Sequence, residues 1–135
     1  MIRTFIDSGV LIAAARGNSV VAEQALEVLA DPELEFVSSI FLKMEVLPKA
    51  IYHGQQVEKE FYDDFFDLVI SWAAITDRLI QEAYQEASQS GLGAMDAFHV
   101  VAALSLGAEQ LITSEKLTSS IHRTDRIKII SIHPS

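Results

Sequence analysis

Short apolar runs alternate with stretches of helical periodicity along the whole chain, and this alternation constrains the fold more than any other feature of the sequence. Residues 4–6 with Ile2, 34–37, 73–75, 110–113 and 127–132 each have the length and apolar character of a short buried strand. Between them lie helical patterns. An apolar helix starts after Asp7-Ser8-Gly9, and a second carries Val21, Ala25, Leu26, Val28 and Leu29 before Asp31-Pro32 stops it. Ser38-Ser39 offers an N-cap to a helix with Phe41, Leu42, Met44, Glu45, Val46 and Leu47, which Pro48 is expected to kink or interrupt. Val57, Phe61, Phe65, Leu68 and Trp72 recur at steps of four, four, three and four, opposite a face of Glu58, Glu60, Asp63, Asp64 and Asp67. Thr76 or Asp77 caps a helix through Leu79, Ile80, Ala83, Tyr84 and Ala87 that Ser90-Gly91 ends, and Asp96 opens an alanine-rich helix reaching Leu106. Strands separated by helices require crossover connections, so the expectation is a three-layer α/β fold with a short, mainly parallel central sheet flanked by helices.

At 135 residues the chain has the length of one domain, taken here as residues 1–135. Half of its residues are apolar and 21% are charged, which excludes a disordered tail. The absence of cysteine removes disulfides, thiol catalysis and Cys-based zinc sites, leaving oxygen-ligated metals or hydrolytic chemistry in a reducing, cytoplasmic setting. The N-terminal segment resembles a secretory signal only until Asp7, and its uninterrupted apolar stretch, residues 10–15, is too short for a signal core or a membrane span.

In covered parallel sheets, ligands bind beyond the carboxyl ends of the strands, where strand order reverses. Four acids fall where they can face such a rim: Asp7 after the first strand, Glu45 in the helix after the second, Asp96 at the start of a helix and Glu115 after the strand ending at Thr113. Gathered together without a cation, such carboxylates repel one another and raise each other's pKa, so the cluster makes physical sense around a hard divalent ion such as Mg²⁺ or Mn²⁺. Taken singly, Asp7 reads as a helix cap, Asp96 as a first-turn acid favoured by the helix dipole and Glu115 as a surface residue. Glu45 resists that reading because it sits within an apolar run, and carboxylates are seldom buried unpaired. His99, three residues after Asp96, reads as a buried, hydrogen-bonded histidine in preference to a ligand or general base, since a hard ion prefers oxygen.

Phe5-Ile6-Asp7-Ser8-Gly9-Val10-Leu11, Met44-Glu45-Val46-Leu47, Met95-Asp96-Ala97-Phe98-His99 and Leu111-Ile112-Thr113-Ser114-Glu115 resemble, in order and spacing, the four blocks of a PIN-domain ribonuclease. The resemblance covers nearly the whole chain and is similar to the VapC-like toxins of bacterial toxin-antitoxin pairs. It implies an acidic pocket that binds Mg²⁺ or Mn²⁺ and activates water to cleave RNA. Within it, Asp7 and Asp96 match the two metal-holding aspartates, Glu45 the helix glutamate, and Ser8 the small polar neighbour of the first aspartate. Thr113 would orient the water or a carboxylate. Glu115 departs from the family pattern, which more often has Asp there; the added methylene suits a water-mediated role. The resemblance further implies a small antitoxin as partner and a homodimer packed through helices, with no membrane association.

RNA binding has to be reconciled with 10 basic against 19 acidic residues, a net charge of −9. Lys116, Arg123, Arg126 and Lys128 cluster late in the sequence and are read as a local basic patch at the pocket rim. Two other enzyme readings fail on their acids. The chain lacks the aspartate pair after the first strand and the aspartate ending the third that a receiver domain needs, and it lacks the second aspartate after Asp7 that a haloacid-dehalogenase-like phosphatase needs. The remaining alternative is a non-catalytic PIN-like module that acts through protein contacts.

Overall fold

The computed structural model describes residues 1–134. Strands β1 (Ile2–Ile6), β2 (Leu34–Ser38), β3 (Ser71–Trp72), β4 (Gln110–Thr113) and β5 (Lys128–Ser131) form one sheet in the order β3-β2-β1-β4-β5. Every pairing in it is parallel. Helices α1 (Ser8–Arg16), α2 (Val20–Leu29), α3 (Ile40–Tyr52), α4 (Gln56–Leu68), α5 (Asp77–Ser90) and α6 (Ala94–Ser105) flank the sheet, giving the three-layer arrangement that the alternation requires. Phe5, Ile6, Phe36, Val37, Leu111 and Ile112 are all buried, as expected for short parallel strands covered on both faces. Helix α6 lies against β1, β2 and β4 and packs on α5, while α1 packs against α2, α3, α4 and β4.

The chain leaves β1 in one direction to build β2 and β3 and returns to add β4 and β5 on the other side, so the order reverses between β1 and β4. Their register pairs Phe5 with Leu111 and Ile6 with Ile112. One further bond, from the Asp7 amide to the Ile112 carbonyl at 2.9 Å, carries the pairing to the strand ends. Asp7 and Thr113 therefore emerge side by side at the switch point, where α/β sheets open a crevice.

Helix boundaries follow local chemistry at most ends. Ser19 and Thr76 cap α2 and α5 by accepting from the amides of Ala22 and Leu79, both at 3.1 Å. Gly91 ends α5 with φ +67°, a left-handed conformation open to glycine at little cost. Ser39 occupies the N-cap position of α3 but makes no side-chain cap bond; its hydroxyl and that of Ser38 are buried with no partner among the described residues.

Three expectations need correction. Trp72 does not continue α4: the helix ends at Leu68, Val69 turns extended, and Trp72 belongs to β3. Edge pairing outranks periodicity here, with Ile70 and Ala73 donating to the carbonyls of Phe36 and Ser38 at 2.9 and 3.0 Å. Trp72 still packs on Phe66, their centroids 5.6 Å apart, which explains why it fits the apolar spacing. The strand expected at 73–75 is thus displaced to Ser71–Trp72. Helix α3 runs through Pro48 without interruption, and the carbonyl that proline leaves unpaired belongs to the exposed Met44. Helix α6 begins at Ala94 behind Gly93, and Asp96 lies within its first turn, as expected.

Candidate active site

Asp7 leaves the end of β1 buried, with both carboxylate oxygens engaged. Oδ1 accepts from the Ser8 amide at 2.8 Å, capping α1, and Oδ2 accepts from the Thr113 hydroxyl at 2.8 Å. The capping role is therefore real and also fixes the carboxylate at the switch point. Thr113 Oγ1 in turn accepts from the Glu115 amide at 3.1 Å, tying the loop beyond β4 to the same network. Beside this loop, a Cβ on Gly9 would lie 2.1 Å from the Ser114 hydroxyl oxygen and 3.3 Å from the Ser114 Cβ, so a side chain at residue 9 would force Ser114 to move.

Glu45 reaches the same place from α3, its side chain 29% exposed and its Oε1 hydrogen-bonded to His99 Nε2. His99 is wholly buried on α6, its ring tilted against Phe5 with centroids 5.5 Å apart. Among the described residues, Asp7, Glu45 and His99 form the group whose potential ligand atoms all lie within 4.8 Å of one another. Asp96 sits one helical turn before His99, half-buried. Burial raises its carboxyl above the ordinary aspartate range, and the charges of Asp7, Glu115 and Glu45 push it up further. Asp7, Glu45 and Glu115 thus all act electrostatically on Asp96, although the Asp96 carboxylate stands outside the close group of Asp7, Glu45 and His99.

The sequence profile of the PIN domain matches residues 4–123. The chain belongs to the PIN domain family. The fold of this PIN domain is similar to that of solved toxin-antitoxin structures: VapBC2 from Rickettsia felis bound to a promoter DNA fragment (TM-score 0.71, 14% identity, 96% of this chain and 98% of that one), VapBC-1 from nontypeable Haemophilus influenzae (0.66, 17%, 96% and 98%), and a toxin-antitoxin complex from Klebsiella pneumoniae (0.62, 20%, 83% and 86%). Comparison with curated protein sequences yields no significant match.

Around the centre of this PIN domain, the candidate residues differ in depth. Glu115 is exposed, its Oε2 accepting from Ser119 at 3.1 Å, and its carboxylate stands outside the group formed by Asp7, Glu45 and His99. Its backbone carbonyl accepts from Ser131 Oγ at 2.6 Å, which joins the loop to the end of β5. The basic patch read from sequence is divided. Lys116 follows the carboxyl end of β4, and Arg123 donates to the Gly91 carbonyl at 3.2 Å in the α5–α6 link, both on the side of the acids. Lys128 pairs with Gln110 at the amino end of the strands and Arg126 precedes it, so these two lie at the opposite end of the sheet. Residues adjacent in sequence separate because a strand lies between its two ends. His99 is the member of the group that sequence reading set aside; the available signal was a polar ring three residues after Asp96 on a helix face of Ala97, Val100, Val101 and Ala103.

Proposed function

We propose that this PIN domain is a metal-dependent endoribonuclease that hydrolyses RNA phosphodiester bonds, and that it is the toxin of a toxin-antitoxin pair. One observation carries the reading: the carboxylates of Asp7, at the end of β1, and of Glu45, on α3, lie together with His99 of α6 at the strand-order reversal, with Asp96 one helical turn before His99, in a fold whose family consists of nucleases. An oxygen-rich donor set fits Mg²⁺ or Mn²⁺, and the carboxyl of Asp96 is raised first by burial and then by the neighbouring acids. Asp7, Glu45 and Asp96 would hold the ion, with Glu115 acting from the exposed rim through water. Bound there, the ion supplies a Lewis acid for the scissile phosphate and a water of lowered pKa.

The chain's own residues have distinct tasks. Thr113 holds Asp7 by its Oδ2 while Oδ1 caps α1, so the two bonds together fix the orientation of that carboxylate. Lys116 and Arg123 stand on the rim as point charges for phosphates, offsetting locally a net charge of −9. That net charge suits a small, basic antitoxin, and the VapBC fold neighbours support such a partner. The exposed Ile40 and Met44 on α3, with Ile80 and Tyr84 on α5, support a homodimer packed through helices. Among the described residues no helix is long and apolar enough to cross a membrane, and a cytoplasmic setting remains our reading.

The test is a titration of purified protein with Mn²⁺ and Mg²⁺ over a mixed RNA pool, with Asp7→Asn in parallel. Cleavage that requires metal and is lost in the variant supports the assignment. Neither cleavage nor metal binding would replace it with the non-catalytic module.

A further inference from the structure

The His99 ring is completely buried, yet only one of its nitrogens has a partner. Nε2 is hydrogen-bonded to Glu45 Oε1, whereas Nδ1 has no hydrogen-bond partner among the described residues. An ionised carboxylate only accepts, so Nε2 carries the proton. In the neutral ring Nδ1 is then a bare lone pair, which is cheaper to leave buried than an orphaned N–H. This tautomer also decides between two roles. A histidine that ligates through Nε2 keeps its proton on Nδ1 and donates it to a fixed acceptor, and no such acceptor is present among the described residues.

We infer that His99 is a positioning residue for Glu45: its Nε2–H fixes Oε1 and thereby sets the carboxylate toward Asp7, without the ring itself binding the ion. This rests on the metal-site reading proposed above. Glu45 has a flexible side chain on α3, and its only hydrogen bond among the described residues is the one to His99, which leaves Oε2 free. Holding it still requires a rigid partner on another element. His99 meets that need, because α6 packs on the sheet and the ring lies against Phe5 of β1, the strand that ends at Asp7. A single stack of contacts, Phe5 to His99 to Glu45, therefore relates the α3 ligand to the β1 ligand.

The experiment measures Mn²⁺ binding by calorimetry for wild type, His99→Leu, His99→Gln, Glu45→Gln and the Glu45→Gln/His99→Leu double variant, each checked for native folding by near-ultraviolet circular dichroism. Glutamine places an N–H near the position of Nε2 and tests for rescue. Loss of a residue that orients a ligand typically weakens metal binding by about 10- to 100-fold. His99→Leu should fall in that range, His99→Gln should stay within a few-fold of wild type, and the double variant should bind no more weakly than Glu45→Gln alone. Wild-type affinity in His99→Leu would overturn the inference. So would independent losses that multiply in the double variant, or nitrogen directly coordinated to Mn²⁺ in pulsed electron paramagnetic resonance. A folded wild type that binds no Mn²⁺ would instead remove the metal site itself, and this role with it.

Discussion

Asp96 shows how a single carboxyl can record the purpose of a site. With its folded-state pKa raised by burial and by Asp7, Glu115 and Glu45, the neutral form is favoured in the folded protein. The stability linked to this group is therefore fully present below its unfolded pKa and is lost as pH rises through the folded one. In metal-free protein, Asp96→Asn should raise the urea midpoint at neutral pH, and the difference from wild type should shrink as pH falls into the acid range. On the proposed metal-site reading, saturating Mn²⁺ should reverse the order, because the variant would give up a ligand. A variant less stable than wild type at neutral pH without metal would show that the fold does not disfavour the ionised carboxylate. Gly9 is constrained by space instead of charge. Gly9→Ala brings a methyl group against Ser114, at an overpacking cost of about 1–3 kcal/mol, and should lower RNA cleavage about tenfold by shifting the Thr113–Glu115 loop. Adding Ser114→Ala should restore much of both; no recovery in melting temperature or rate would place the damage elsewhere.

Between elements, the most consequential polar tie lies away from the acidic centre. Glu86 on α5 is buried and accepts from Thr124 Oγ1 at 2.7 Å and Ser90 Oγ at 3.1 Å. Thr124 Oγ1 also accepts from the Arg126 amide at 3.3 Å, so one helix anchors the segment that enters β5. Glu86→Ala leaves a buried hydroxyl without its acceptor and should destabilise by about 1–3 kcal/mol, read from urea midpoints. Pairing it with Thr124→Val should recover part of that loss, since removing both partners costs less than orphaning one. The acid shares the buried stripe of Leu79 and Ala83 although its residue type suggests exposure, and no spacing rule connects residue 86 with residue 124. Helix α4 teaches the same lesson from the other side: a period of Val57, Phe61, Phe65, Leu68 and Trp72 was legible, but the end of the helix was set by β2, which had open edge groups for residues 70–73 to join.

For the molecule as a whole, folding and metal binding should be linked through the acidic centre. An ion that binds the folded state alone adds about 2.7 kcal/mol at a concentration 100 times its Kd, a rise in melting temperature of roughly 10 °C for a chain of this size. Wild type should show that rise with Mn²⁺, while Asp7→Asn should show little, measured by differential scanning calorimetry.

The alternation of apolar runs and helical periods by itself determined the class of fold and the order of its elements, because covered parallel strands and amphipathic helices leave different periods in a sequence. It also picked out Asp7, Glu45, Asp96 and Glu115, since acids beside strand ends or within apolar runs are conspicuous locally. Their relative depth was decided only by the tertiary structure. Glu115 lies exposed on the rim, His99 and Glu45 meet across two helices 54 residues apart in sequence, and the late basic residues divide between opposite ends of the sheet. The physical reason is common to all three: periodicity reports which face of an element a residue occupies, whereas distances between faces depend on how the elements pack.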